Sequence, residues 1–490
     1  MLFNTLDFVI FFIVTCVAIV IVKNRKFQHL WLLFASYFFY YYSGNYLIVL
    51  LIFTTFLDFY IAQEIWKSKN IAKKKALLIT SLSANLGLLG FFKYANFAIL
   101  QFNLLGNYLN FTTEFSYLGM TLPIGISFYT FQTISYTVDV YRGQLTPTKS
   151  LSEFALFITY FPQLVAGPIV KASDFLPQLR ERLENLKNQF QRKIITIEAA
   201  NLKLGITIMA IGFFKKMFFA DNISLLVDTI YQNPIGAESF TIILAAIGFG
   251  IQLYCDFSGY SDIAIGAALV LGFKLPLNFK QPFFSTSTQD FRRRWHVSLF
   301  AWFKSYLYIP LGGNRVGKKR TFFNLWLVMF LAGVWHGASS NFVIYGLLHG
   351  SYLAIPYALR EKFPILKGHP FFKSKVGIVL SILGTNYLFF FSWIVFRIRN
   401  LDHLVYAMQK FVLVDFAFEK TLEIMNANKL PVLLIVIFIV LNIISYKSGN
   451  LRERIANLPT GYWFVFLLTI SFGIIVLYDS NPQQFIYFQF

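Results

Sequence analysis

Apolar runs of roughly 17 to 25 residues recur along this 490-residue chain, as at residues 6–22, 76–99, 376–396 and 462–478. Each is long enough to cross a hydrocarbon layer ~30 Å thick as a helix. Within a bilayer every backbone N–H and C=O must find a partner inside the protein, so spanning segments are helices or a closed barrel. The weak alternation of a barrel is nowhere evident. With 57% hydrophobic and 13% charged residues, the composition lies far from that of soluble domains, which are about 25% charged. The sequence therefore predicts an all-α polytopic membrane protein of about 10–12 transmembrane helices. The first run has no basic residue before it and no small-residue cleavage site after it, which predicts a retained span rather than a signal peptide.

The formal charge of +20 reads as loops facing the cytoplasm rather than as a nucleic-acid surface. Basic clusters at Lys23, Arg25 and Lys26 and at residues 67–75 are expected on that side, which sets the N-terminus outside. Residues 100–119 carry a single charge, Glu114, and residues 221–239 carry Asp221, Asp228 and Glu238 with no Lys or Arg; both read as external loops. Pro123, Gly125 and Asp139 predict a helix packed inside the bundle. The stretch "ITYFPQLVAGPIVKASDF" is too interrupted by Pro162, Gly167 and Pro168 for a simple crossing and predicts a re-entrant segment. Residues 173–203 follow as a polar stretch, with "LPQLRERLENLKNQFQRK" read as an amphipathic helix on the cytoplasmic surface. Cys16 and Cys255 lie in apolar stretches and read as small buried hydrophobes. With no internal repeat, linker or soluble appendage, residues 1–490 are expected to form one membrane domain.

Three histidines carry the candidate chemistry. A helix starting at Thr321, at ~1.5 Å per residue, places His336 about 22 Å from the basic edge at Lys318, Lys319 and Arg320. An ionisable side chain at such depth is a functional candidate, and Gly333, Gly337 and Ala338 leave room around it. Neutral imidazole accepts a proton from a hydroxyl near physiological pH, so His336 reads as a general base. His349, thirteen residues on, belongs to the returning helix and is read either as a packing residue or as a support. No third ligand has convincing spacing, so no metal site is expected. His296 sits beside Arg292, Arg293 and Arg294. These arginines, with Arg315 beyond the "PLGG" turn, suit phosphate contacts or, more plainly, anchor the chain at the membrane edge. Trp295, Trp302, Tyr306 and Tyr308 form an aromatic wall there. Asp256 and Asp262, in an apolar span with Ser258, Tyr260 and Ser261, must find donors. The arginines at 292–294 and 315 or the two deep histidines are the expected partners, whether to orient a histidine or to hold helices in register. No "GxSxG" elbow supports a hydrolase triad.

The runs "YCDFSGYSDIAIGAALVLGFKLPLNFKQPF", "FRRRWHVSLFAWFKSYLYIPLGGNR" and "LAGVWHGASSNFVIYGLLHG" closely resemble the membrane-bound O-acyltransferase superfamily, in its bacterial alginate O-acetyltransferase-like branch. "LPIGISFYTFQTISYTVDVYRG", "YFPQLVAGPIVKASDFLPQL" and the ending "FIYFQF" extend the likeness over nearly the whole chain, with the motif-bearing core at about residues 119–350. The resemblance implies a many-helix bundle with a tunnel, no permanently bound cofactor, and acetyl-CoA arriving from the cytoplasm as donor substrate. It implies that His336, in "WHG", is catalytic and that His296, in "RRWHVSL", is needed; Trp335 belongs to the same motif as His336. It further implies acetyl transfer to an exported polysaccharide, with a periplasmic acetyltransferase or acceptor-presenting partner. D-alanyl or lipid acyl transfer within the same superfamily is the alternative, and a transporter is the rival from another class. The chain departs from the family at Lys304 and Ser305, where the usual motif has Arg and Asp, so any ion pair of that Asp is absent here.

Overall fold

The computed structural model describes residues 1–22, 24–111, 114–165, 167–189, 198–366, 368–478 and 485–486; side chains within 182–189 and at 366 are outside that description. Lys23 of the first basic cluster, residues 190–193 of the expected surface helix and residues 487–490 of the terminal motif lie outside it. The described residues form helices and no strand. Among the described residues, six helical stretches are long and apolar enough to cross a membrane: Arg25–Lys67, Ile71–Tyr108, Ser239–Val270, Ser340–Lys362, Lys375–Arg397 and Lys429–Ser448. Further crossings among the ten to twelve expected would fall to shorter or more polar helices, such as Leu6–Ile21, Thr460–Val476 and Lys318–His336. The protein is thus an all-helical polytopic membrane protein.

The chain divides into two compact units, residues 1–209 with 263–276, and residues 210–262 with 277–490. In the first, the helix Ile126–Tyr141 buries thirteen of its sixteen residues, as its Pro, Gly and Asp foretell. Polar groups of this helix and of a neighbour meet on Asp58, fully buried in the helix Ile48–Lys67. Ser81 Oγ and Asn85 Nδ2 donate to its carboxylate from the helix Ile71–Tyr108, the latter at 2.7 Å, and Thr137 Oγ1 donates at 3.1 Å from Ile126–Tyr141. Thr133 closes the network on Asn85 Oδ1 at 3.0 Å. Lipid gives helices little hydrophobic reason to associate, so such polar contacts and close packing must supply the cohesion.

The "FPQLVAGP" stretch is broken as its sequence suggests. The helix Leu151–Thr159 stops at Tyr160, a four-residue helix Phe161–Leu164 follows, and regular helix resumes at Ala172–Gln189. Gly125, at φ 73°, lets the start of its helix touch this break, since a Cβ there would lie 2.7 Å from the Leu164 carbonyl oxygen.

Replacing Asp58 by Ala removes the acceptor shared by three buried donors. The expected cost is about 1–3 kcal/mol, seen as a lower thermal unfolding midpoint of the detergent-solubilised protein, whereas Asp58→Asn should retain much of the stability. An unchanged midpoint for Asp58→Ala would show that the cluster does not hold the three helices.

Candidate functional site

All three candidate histidines belong to the second unit, where a helical hairpin positions two of them. The helix Lys318–His336 ends at His336 itself, Gly337 is extended, and Ser340–Lys362 begins three residues later. Nineteen helical residues place His336 about 28 Å along the axis from Lys318. The hairpin arms close on glycines. A Cβ on Gly333 would sit 2.4 Å from the Gly346 Cα, and one on Gly350 would sit 2.8 Å from the Trp326 ring. Asn341 then ties the turn to the helix Lys375–Arg397 and its end, donating to the carbonyls of Val395, at 3.1 Å, and of Ile398.

His336 is buried, 9% exposed, in a cage of rings. Tyr345 meets it edge-on at 5.7 Å between ring centroids, Phe396 at 5.6 Å and Trp335 at 5.0 Å. Tyr345 also lies 4.1 Å from the His349 ring, so one tyrosine packs against both histidines of the hairpin. Phe389 and Tyr352 complete the surroundings of His349 at 5.3 and 5.4 Å.

Arg292 reaches this cage from the short helix Thr288–Arg294. Its guanidinium donates to His349 Nδ1 and lies over the rings of Phe300, at 4.8 Å, and Phe389, at 5.2 Å. A buried cation requires such partners, hydrogen bonds and π faces together. The three arginines read from the sequence as one group therefore part company: Arg292 is buried against His349, Arg293 is exposed, and Arg294 pairs with Asp290 at 3.0 Å. Arg315 is exposed beyond the turn. Tyr308 ends a five-residue π-helical turn, Lys304–Tyr308, and packs by Gly313 rather than by the histidines.

His296 caps the helix Val297–Phe303 and is 1% exposed. Its backbone is left-handed, φ 47° and ψ 52°, a conformation that costs a non-glycine residue about 1–3 kcal/mol and persists only where its surroundings impose it. The residues before it impose it: Lys280 N–H donates to the Arg294 carbonyl and Val297 N–H to the Asn278 carbonyl, at 2.9 and 3.0 Å. The imidazole then meets Phe257 edge-on at 4.6 Å, with the Trp335 ring 6.4 Å away. Its Nδ1 hydrogen-bonds to Asn278 Oδ1 at 3.2 Å.

The carboxylates find partners other than those expected. Asp256 pairs neither with the arginines at 292–294 nor with a histidine, but with Lys216 Nζ at 2.6 Å, and it accepts the Ile486 N–H at 2.8 Å. Lys216, 1% exposed, also meets Asp221 at 2.8 Å. Asp262 pairs with Lys215 at 2.7 Å and with Arg452 at 2.7 Å. Both lysines come from a π-helical turn, Phe214–Ala220, whose wider winding sets adjacent residues toward different carboxylates. Asp221, read as part of an external loop, belongs to this buried network instead. The network also seats Phe485, whose ring lies 4.4 Å from Tyr260 and 5.7 Å from Phe257, the ring against His296. Of the two roles open to these aspartates, holding elements in register fits these contacts.

Sequence reasoning passed over Asn278, Tyr345 and the aromatic residues Phe389, Phe396 and Trp393, the last with its ring 5.1 Å from that of Trp295. The last three sit in an apolar run that carries no signal beyond helix, whereas Asn278, a polar residue between Leu277 and Phe279 in "KLPLNFKQ", could have been noticed. A cleft of about 610 Å³ is lined by Thr288, Gln289, Tyr357, Arg360, Thr385 and Leu388, beside the same short helix. Among the described residues no three His, Cys, Asp or Glu side chains gather to hold a metal ion.

Residues 145–365 match the model of a family described as MBOAT, membrane-bound O-acyltransferase. The chain is 37% identical over 405 residues to a Pseudomonas syringae pv. tomato protein named "Probable alginate O-acetylase AlgI", covering 82% of this chain and 73% of that one. It is 33% identical to the peptidoglycan O-acetyltransferase of Helicobacter pylori, over 96% of this chain and 92% of the relative. It is also 28% identical to the teichoic acid D-alanyltransferase of Bacillus subtilis, over 57% of this chain and 70% of the relative.

The lysine network makes a sharp comparison. Lys216→Met removes the ammonium between two buried carboxylates and should cost about 3–5 kcal/mol. Lys215→Met leaves Arg452 on Asp262, so no carboxylate loses its only cation and the cost should be smaller. Thermal unfolding of the two variants in the same detergent checks the order; equal midpoints would refute it.

Proposed function

The chain belongs to the membrane-bound O-acyltransferase family, and we propose that it passes an acetyl group from cytoplasmic acetyl-CoA to hydroxyls of an exported cell-envelope polysaccharide. The names of its relatives support this choice of group and acceptor, since alginate and peptidoglycan are both envelope or exported glycans and both relatives are named for O-acetylation. The observation that carries the reading is the placement of His336: a buried imidazole at the far end of a helix that starts in a basic cluster. A donor from the basic side and an acceptor from the other face meet at such a residue.

In the proposed reaction the acceptor hydroxyl oxygen attacks the thioester carbonyl carbon while its proton passes to the His336 imidazole. The C–S bond then breaks, the thiolate leaves with the electron pair and takes the proton back from the imidazolium, and the products are an acetate ester and free CoA. His349 supports the cage rather than sharing this role, because its Nδ1 is engaged by Arg292. Arg293, Arg294 and Arg315, more exposed than Arg292, remain the candidates for the donor's phosphates. The cleft near Thr288 and Arg360 has a volume in the range of small-molecule sites and suits part of the donor. A periplasmic partner that accepts the group or presents the glycan, and an inner-membrane location with the N-terminus outside, complete the proposal; the basic clusters support that orientation. D-alanyl transfer is the second reading, favoured by the likeness to a teichoic acid D-alanyltransferase over more than half of the chain.

The test uses purified protein in nanodiscs with acetyl-CoA labelled on the acetyl group. His336→Ala should lower CoA release by about 100-fold or more while the variant remains monodisperse. Undiminished release would remove His336 from the role. Release from long-chain donors in preference to acetyl-CoA would overturn the donor assignment.

A further inference from the structure

We infer that Asn278 is a positioning residue that holds His296 as its Nδ1–H tautomer, leaving Nε2 as the nitrogen able to take a proton, while Arg292 holds His349 in the opposite tautomer. The tautomers follow from which neighbouring atoms can only donate and which can only accept. Ser298 N–H, a donor alone, points at one terminal atom of the Asn278 amide at 3.2 Å, which identifies that atom as the oxygen. Ser298 Oγ donates to the same oxygen at 3.0 Å, and the amide nitrogen donates to Ser261 Oγ at 3.3 Å, so the amide is anchored at both ends. An amide oxygen only accepts; the His296 Nδ1 that meets it at 3.2 Å must therefore carry the proton. In the neutral ring the lone pair then resides on Nε2.

At His349 the logic inverts. A guanidinium has donors only, so the Nδ1 that Arg292 contacts must accept, and the neutral ring carries its proton on Nε2. One buried imidazole, His296, is thus set to accept at Nε2 and another, His349, to donate there. The backbone strengthens the case for His296. Its left-handed φ of 47° is maintained by the pairing of residues 278–280 with 294–297, and Asn278 contributes to both: its carbonyl accepts from Val297 N–H and its side chain from the imidazole. The residue that bends the backbone at His296 is the one that selects its tautomer. A site that must move a proton off a hydroxyl gains from a second imidazole whose accepting nitrogen is fixed in advance. That consequence rests on the acyl-transfer reading; the tautomers do not.

The experiment is solid-state NMR of histidine-selectively 15N-labelled protein in lipid, with the two rings assigned by the loss of their signals in His296→Gln and His349→Gln. The expected wild-type spectrum shows His296 protonated at Nδ1 and His349 at Nε2. In Asn278→Ala, His296 should move toward the Nε2–H form and kcat for CoA release should fall by about tenfold or more with a smaller change in KM. Asn278→Asp, which keeps an acceptor in place, should retain Nδ1–H and recover much of the rate. A wild-type His296 protonated at Nε2, or an Asn278→Ala ring that stays protonated at Nδ1, would overturn the inference. Should Asn278→Ala not fold, the wild-type spectrum and Asn278→Asp still decide it. Since the spectra need no substrate, a wild type that releases no CoA would count against the acetyl-CoA reading alone.

Discussion

A guanidinium buried to 7% exposure constrains the candidate site more than any apolar contact. Taking an ion out of water costs several kcal/mol unless hydrogen bonds and favourable fields replace the solvent. At Arg292 the replacement comes from three directions: His349 on one helix, Phe389 on another and Phe300 on the segment that follows His296. None of these can shift far without stranding the charge. The contacts of Arg292 therefore tie these three groups together, and Phe291 stacks on Phe389 beside them, with ring centroids 3.5 Å apart.

Elsewhere the protein uses two other means of holding helices where lipid offers little drive for association. Small residues allow backbones to touch, as at Gly333 and Gly346, and this contact sets where His336 and His349 lie relative to each other. Buried carboxylates gather donors from several elements. Asp58 does so with neutral groups, while Asp256 and Asp262 do so with lysines from one π-helical turn. The two solutions differ in what substitution would expose: dismantling the first leaves unsatisfied neutral donors, and dismantling the second leaves buried charge.

The fold was legible because its determinants are local. The length of an apolar run states that a helix is possible, Pro162, Gly167 and Pro168 state where one must break, and the distance from Lys318 along a helix states how deep His336 lies. The likeness to membrane-bound O-acyltransferases came from ordered motifs, also a property of the chain as written. Even the parting of the three arginines follows from a local rule, since consecutive residues of a helix point about 100° apart and cannot all face one ligand. That rule applies only once residues 288–294 are known to be helical.

What the tertiary structure decided was the partner of each polar group. Asp262 meets Arg452, 190 positions away, and Asp256 accepts from Ile486, 230 positions away. Asn278 meets His296, 18 positions away, whose backbone is left-handed. Hydrophobic periodicity reports how each segment buries its own surface, whereas a hydrogen bond or ion pair depends on which segments the whole chain brings within about 3 Å. The sequence by itself determined that this protein is a helical membrane protein and singled out its histidines; which nitrogen of His296 and of His349 is held, and by what, was decided only when distant donors and acceptors had been brought together.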